Sequence, residues 1–284
     1  MGEPMALNLA RAGFRVLAWN RSRRPPDRLA SAGGRILPSA RDVMARTRVV
    51  ILMLANERAI DAVLERGTPQ FGRNVSGRTI MHMGTTSETY SLGLDADIRA
   101  SGGFYVEAPV SGSRGPAETG RLVAMLAGEE AAVDCVRPIL APLCREAIFC
   151  GPVPNALTMK LAVNLFLISM VTGLAEAFHF VGKKGLNLAA FQAVLDKTPM
   201  SSEVSRAKAA KLAAADFEPH AKASDVLMNN RLILESARGI ATPLLEVCGQ
   251  LYGEAVQSGF GGEDMIAVLR AIEARPDTSG RSQI

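Results

Sequence analysis

The first half of the chain alternates two hydrophobic periods, and that alternation limits its fold more than any other feature. Short apolar runs of strand character lie at 15–19, 49–54 and 79–83. Stretches with helical spacing lie around them, at 4–12, 26–32, 39–45, 59–64 and 89–101. A strand that is apolar throughout belongs in a sheet covered on both faces, and strand–helix alternation implies parallel strands joined by helical crossovers. The pattern predicts an α/β domain with a doubly wound parallel sheet, extended by segments 103–108 and 123–127. After Gly151-Pro-Val-Pro154 no strand pattern follows. Helical spacing takes over at 156–183, 188–195, 202–214, 221–238, 243–258 and 263–274, ahead of a polar tail from Arg275 that is expected to fray. The expected division is residues 1–152 and an all-α domain over 153–284.

The length of 284 residues agrees with two domains at about 150 residues each. Lys and Arg number 32 against 28 Asp and Glu, for a net charge of +4, too mild a balance to indicate a nucleic-acid partner. Cys135, Cys144, Cys150 and Cys248 show no CxxC spacing and read as buried free thiols in a reducing compartment. His82, His179 and His220 have no zinc-type spacing. With no apolar signal core at the start, the expectation is a cytoplasmic, metal-free protein. The apolar run 161–171 is interrupted further on by Glu176, His179 and Lys183. It reads as a helix buried in a core or a subunit interface, not as a membrane span.

Three places carry candidate chemistry. The first is the strand end Trp19-Asn20-Arg21-Ser22, followed by Arg23 and Arg24. In a doubly wound sheet the residue ending the second strand meets the adenosine ribose; an acid there rejects a 2′-phosphate, whereas an Arg pairs with it. Asn20 and Arg21 favour the phosphorylated cofactor, the alternative being a solvated basic loop. The second is Glu107-Ala-Pro-Val-Ser-Gly-Ser-Arg-Gly-Pro-Ala-Glu-Thr-Gly-Arg121, where Ser111, Gly112 and Ser113 offer hydroxyls and approachable backbone N–H groups to a carboxylate; a plain turn is the alternative. The third is Lys160 with Asn164, four residues apart and so on one helix face. A Lys among apolar neighbours has a depressed pKa suited to proton transfer; a snorkelling Lys beside a buried, satisfied Asn is the alternative. The loops at Met53-Leu54 and at Met83-Gly84-Thr85 follow apolar runs, where ligands bind in open α/β sheets. Thr85 is placed to reach a ribose or a nicotinamide amide, though either loop also reads as an ordinary connection.

Together these residues resemble the β-hydroxyacid dehydrogenase family, over nearly the whole chain. Met1-Gly2-Glu3-Pro4-Met5-Ala6-Leu7-Asn8-Leu9 is similar to the end of the family's GLGxMGxPMAxNL opening. Glu107-Ala-Pro-Val-Ser-Gly-Ser113 with Gly120 is similar to its substrate signature, Lys160 and Asn164 to its catalytic KxxxN helix. Asn20-Arg21-Ser22 is similar to the NADPH-preferring glyoxylate/succinic semialdehyde reductase branch. Phe217 and Asp225 fall at a family Phe and at the Asp of a KD pair.

The resemblance implies a Rossmann-type domain followed by a helical substrate and dimerisation domain. It implies NADPH-dependent reduction of a small aldehyde or keto acid, with NADPH preferred over NADH. The cofactor would lie at Gly2, Asn20, Arg21, Ser22, Met53, Leu54, Thr85, Phe217 and Asp225. Ser111, Gly112 and Ser113 would bind the substrate carboxylate, Lys160 would donate the proton, and Asn164 would orient it. A homodimer or homotetramer through the helical domain is also implied.

Two departures accompany the resemblance. It starts at the end of the glycine loop, without the preceding strand and the first two glycines, so an N-terminally truncated first domain is expected, with two sheet edges unpaired and most of the pyrophosphate cradle missing. Ser224 stands where the family has Lys, with Lys222 two positions earlier. An imine reductase of the same fold and a non-catalytic dehydrogenase-like scaffold are the alternative functions; Lys160 argues against the first.

Overall fold

The computed structural model describes residues 1–22 and 27–276. Arg23, Arg24 and Pro26 lie outside the described residues, as does the tail from 277. The chain forms two compact units, Met1–Lys160 and Leu161–Ile284.

The first unit begins with α1 (Gly2–Arg11), β1 (Leu17–Ala18), α2 (Asp27–Ser31), β2 (Arg35–Ile36) and α3 (Ala40–Met44). It continues with β3 (Val49–Leu52), α4 (Glu57–Leu64), α5 (Gln70–Val75), β4 (Thr79–His82), α6 (Glu88–Ala100) and β5 (Phe104–Glu107). It ends with β6 (Val110–Ser111), α7 (Arg114–Glu118), β7 (Leu122–Gly128), α8 (Glu130–Leu140) and β8 (Cys144–Gly151). β3, β4 and β5 pair in parallel, in register from Val49 against Thr79 to His82 against Glu107.

The expected α/β architecture is present, with one departure from the expected parallel sheet and one expected break. First, β7 runs antiparallel to β5 and β6 and parallel to β8, so the sheet is mixed. β5 and β6 form one strand path interrupted at Ala108-Pro109, and the chain returns along it as β7 after the loop that holds α7. Second, β1 and β2 pair in parallel with each other as a separate two-stranded sheet, leaving β3 at the end of the six-stranded one, which gives, among the described residues, the two unpaired edges expected from the sequence.

Alternate residues of the central strands enter two cores. Val50, Leu52, Ile80 and Tyr105 pack with Ile60, Leu64, Leu94 and Ile98 on one face. Met81, Val106 and Leu126 pack with Met5, Val133 and Leu140 on the other. All four residues of β4 are buried, the polar Thr79 and His82 with the apolar Ile80 and Met81, as expected of a strand covered on both faces. Full burial of one such Leu or Ile side chain contributes about 1.5–3 kcal/mol. The four cysteines are free thiols, but contrary to expectation Cys135 is exposed and Cys150 only half-buried. α8 buries Ala132, Val133, Val136 and Leu140, and Cys135 falls off that stripe.

In the second unit, α9 (Asn155–Lys183) runs on from the first unit and is followed by α10 (Leu188–Leu195), α11 (Glu203–Ala213), α12 (Ala223–Ser236) and α13 (Pro243–Gln257). The expected helix over 263–274 is shorter: a 3-10 turn, Met265–Ala267, leads into α14 (Val268–Glu273). The expected lack of strands holds among the described residues, with one isolated bridge between Lys222 and Asp264. α9 is long and apolar enough to cross a bilayer by length and composition. Its Leu161, Ile168, Val171, Ala175 and Phe178 nevertheless build the core of this unit, at spacings that fall on one helix face. Asp264, fully buried, binds Lys208 Nζ at 2.7 and 2.9 Å and accepts the N–H groups of His220 and Ala221.

Candidate active site

The carboxyl ends of β3 and β4 meet the start of α1. Gly2 opens α1, and a Cβ there would lie 3.8 Å from Met53 Cβ, so the helix start faces the loop after β3 without crowding it. No side chain caps this helix, so its first N–H groups keep their hydrogen-bonding capacity for an anion. Gly84 follows β4, and a Cβ there would lie 3.0 Å from Leu54 O and 3.2 Å from His82 Nε2, so the two loops approach closely at this glycine. Thr85 is half-buried beside it, while the neighbouring Thr86 Oγ1 and His82 Nε2 are buried without hydrogen-bond partners. Asn20, Arg21 and Ser22 are exposed after β1, with Asn20 Nδ2 donating to Ser22 O at 3.3 Å.

Ser111 ends β6, and Gly112 and Ser113 lead exposed into α7. Gly112 has φ +128, and a Cβ there would meet Leu122 Cδ2 at 2.8 Å, so this loop requires glycine. Asn8 Nδ2 donates to Ala117 O at 2.9 Å and ties α1 to this segment. The structure therefore brings Gly2, Met53, Leu54 and Thr85 together at the strand ends and links their helix to the serine–glycine loop.

Lys160 lies in the second turn of α9. Its side chain is half-buried, and desolvation by burial lowers its pKa from 10.5 to about 8. The start of α9 is held from two sides. Glu107 Oε2 accepts the Leu157 N–H at 3.1 Å, and Thr158 Oγ1 donates to Glu88 Oε1. Glu107 is fully buried, and burial outweighs its hydrogen bonds to raise its pKa from 4.5 to about 7. Its capping role, with Ser91, Tyr105 and His82 behind it, escaped sequence reading, because no local pattern joins residues on α6, β5, β4 and α9.

Asn164, buried one helical turn beyond Lys160, donates to Asn229 Oδ1 at 3.0 Å, and Asn229 donates to Asp225 O at 2.7 Å. Asn229 was not singled out from sequence. Asp225 itself is exposed in the first turn of α12. Phe217 lies elsewhere in this unit, under the Arg270 guanidinium at 4.0 Å from its ring centroid.

The residues at the strand ends fit a dinucleotide: an uncapped helix start beside a small residue suits a phosphate, and orphaned buried polar atoms suit a polar ring substituent. Residues 1–151 match the family model described as the NAD binding domain of 6-phosphogluconate dehydrogenase. Residues 155–272 match the one described as the NAD-binding domain of NADP-dependent 3-hydroxyisobutyrate dehydrogenase. The chain is 30% identical to the chloroplastic glyoxylate/succinic semialdehyde reductase 2 of Arabidopsis thaliana, over 96% of this chain and 77% of that protein. It is 28% identical to reductase 1 of the same plant, over 96% and 95% of the two chains. In fold it is similar to the crystal structure of 3-hydroxyisobutyrate dehydrogenase from Salmonella typhimurium, with a TM-score of 0.86, 22% identity and 95% of each chain covered. With both halves of the sequence matched by dehydrogenase family models and a 30% identical relative aligned over 96% of this sequence, the chain belongs to the β-hydroxyacid dehydrogenases, NAD(P)-dependent oxidoreductases acting on CH–OH groups.

Proposed function

We propose that this protein reduces a small aldehyde or keto acid, such as glyoxylate or succinic semialdehyde, to the hydroxyacid with NADPH, and that Lys160 is the proton donor. The observation that carries the reading is the lowered pKa of Lys160, one helical turn from a buried Asn on the same helix. At neutral pH an amine of pKa about 8 is mostly protonated yet gives up its proton more readily than an ordinary lysine.

NADPH, when bound, supplies a hydride to the carbonyl carbon. Gly2, Met53, Leu54 and Thr85 would hold it at the strand ends, with Phe217 and Asp225 assigned from the second unit by family position. Asn20, Arg21 and Ser22 follow β1 without a carboxylate among them, which supports NADPH over NADH because Arg21 can pair with a 2′-phosphate. The hydroxyls of Ser111 and Ser113 and the backbone at Gly112 would accept the substrate carboxylate. The Lys160 ammonium gives a proton to the oxygen as it gains charge and becomes a neutral amine, and solvent restores that proton. Asn164, fixed by Asn229, would orient the lysine or the substrate.

In this reading residues 1–152 bind the dinucleotide, and 153–284 complete the substrate site and mediate a homodimer or homotetramer in the cytoplasm. Exposed Phe166 and Phe180 on α9 supply apolar surface for such pairing. The test is NADPH consumption with glyoxylate, succinic semialdehyde and a cyclic imine. Turnover of an aldehyde acid supports the proposal; turnover of the imine alone, or of none, refutes it.

A further inference from the structure

The proposed mechanism leaves unused a buried titratable cluster that touches the start of α9. Glu107 on β5 and His82 on β4 are partners in strand register, and both are fully buried. Two hydroxyls connect them. His82 Nδ1 lies 3.0 Å from the Tyr105 hydroxyl, which lies 2.8 Å from Ser91 Oγ, and Ser91 donates to Glu107 Oε1 at 2.5 Å. The other oxygen of Glu107 accepts the Leu157 N–H, in the first turn of α9. N–H groups in a first turn have no intrahelical acceptor and carry partial positive charge, so a carboxylate there supplies both an acceptor and a countercharge. Leu157 precedes Lys160 by less than one turn, so any shift of this turn is passed to the lysine.

We propose that Glu107 is a positioning residue for the reduction: its carboxylate fixes the first turn of α9, and hence Lys160, to the end of β5, with the Ser91–Tyr105–His82 chain orienting its charge. This inference rests on the reading of Lys160 as proton donor. When Glu107 is ionised, every donor in the chain points towards it: His82 Nδ1–H to Tyr105, Tyr105 to Ser91, Ser91 to Glu107. Protonation reverses each bond and puts the imidazole proton on Nε2, which has no partner. It also removes the negative charge facing the helix start. The groups that act on Glu107 are His82 from β4, Tyr105 from its own strand, Ser91 and Asp95 from α6, Cys150 from β8 and the N–H groups of Ala156 and Leu157 from α9. Its register partner on β7 is the uncharged Ala127. Burial dominates among these influences and brings the titration to about 7.

The test is the pH profile of kcat for reduction by the full chain at saturating NADPH, with the aldehyde acid it turns over best. The expected wild-type profile falls on the acid side with a midpoint near 7, as Glu107 protonates. Glu107→Gln still accepts from Leu157 but cannot ionise. It should lose the acid limb and lower kcat by about tenfold, with the KM for NADPH unchanged. Ser91→Ala removes a hydrogen bond that lowers the Glu107 pKa, so its acid limb should move to higher pH; this milder change decides the matter if Glu107→Gln does not fold. Wild-type profiles in the variants that fold overturn the inference. Lys160→Ala, measured in parallel, separates the two readings. If it is inactive while the Glu107 and Ser91 variants match wild type, only the positioning role fails. If it keeps wild-type kcat, the proton-donor reading falls and the positioning role with it.

Discussion

Replacing Glu107 by Gln should make the protein more stable above neutral pH, even though it slows the reaction. Burial raises the Glu107 pKa from 4.5 to about 7, so between these values the folded chain holds a proton that the unfolded chain has lost. The stability contributed by that protonated carboxyl is complete below 4.5 and is lost as pH rises through 7. A displacement of about 2.5 pKa units corresponds to about 3 kcal/mol at about 1.4 kcal/mol per unit. Glutamine resembles the protonated acid in shape and does not titrate, so the variant avoids this loss. Its stability relative to wild type should therefore rise by about 3 kcal/mol between about pH 5 and pH 8. For a chain of this size that is roughly 6–12 °C in melting temperature. His82, whose pKa burial lowers from 6.5 to about 4, costs stability as pH falls through that range, but it does so in both proteins and cancels. Melting curves of the two proteins across this pH range provide the assay. Differences that stay constant with pH would refute the burial argument for Glu107.

Two further outcomes follow from the same reasoning. Lys208→Met leaves the fully buried Asp264 without its counter-ion and should cost about 3–5 kcal/mol in urea unfolding, whereas a loss below about 1 kcal/mol would show that the pair contributes little. Arg21→Glu places a carboxylate after β1 and should raise the KM for NADPH by about tenfold or more while sparing NADH; an unchanged preference would remove Arg21 from the cofactor assignment.

The sequence exposed those parts of the fold whose hydrophobic pattern is local. β3, buried on one face and half-buried on the other, and the fully buried β4 lie in largely apolar runs, and α9 to α13 carry helical spacing. β8 escaped because the charged pair Arg145-Glu146 splits it and leaves only the four apolar residues Ala147-Ile148-Phe149-Cys150, too short a run to separate a strand from a loop. β2 has two exposed residues and no pattern to show. The antiparallel course of β7 was hidden because the chain turns back through a loop that contains α7, with no tight-turn signal. At the site, Lys160 and Asn164 were legible because four residues on a helix are neighbours by geometry. The Glu107–Ser91–Tyr105–His82 chain was not, because strand pairing and helix packing assemble it from distant segments.

The most direct measurement is steady-state kcat of Lys160→Ala with glyoxylate or succinic semialdehyde, alongside its NADPH affinity by equilibrium binding. Proton donation by the amine at residue 160 predicts that turnover is abolished while the cofactor binds as it does to wild type. Wild-type kcat in that variant, with NADPH bound normally, would contradict the account.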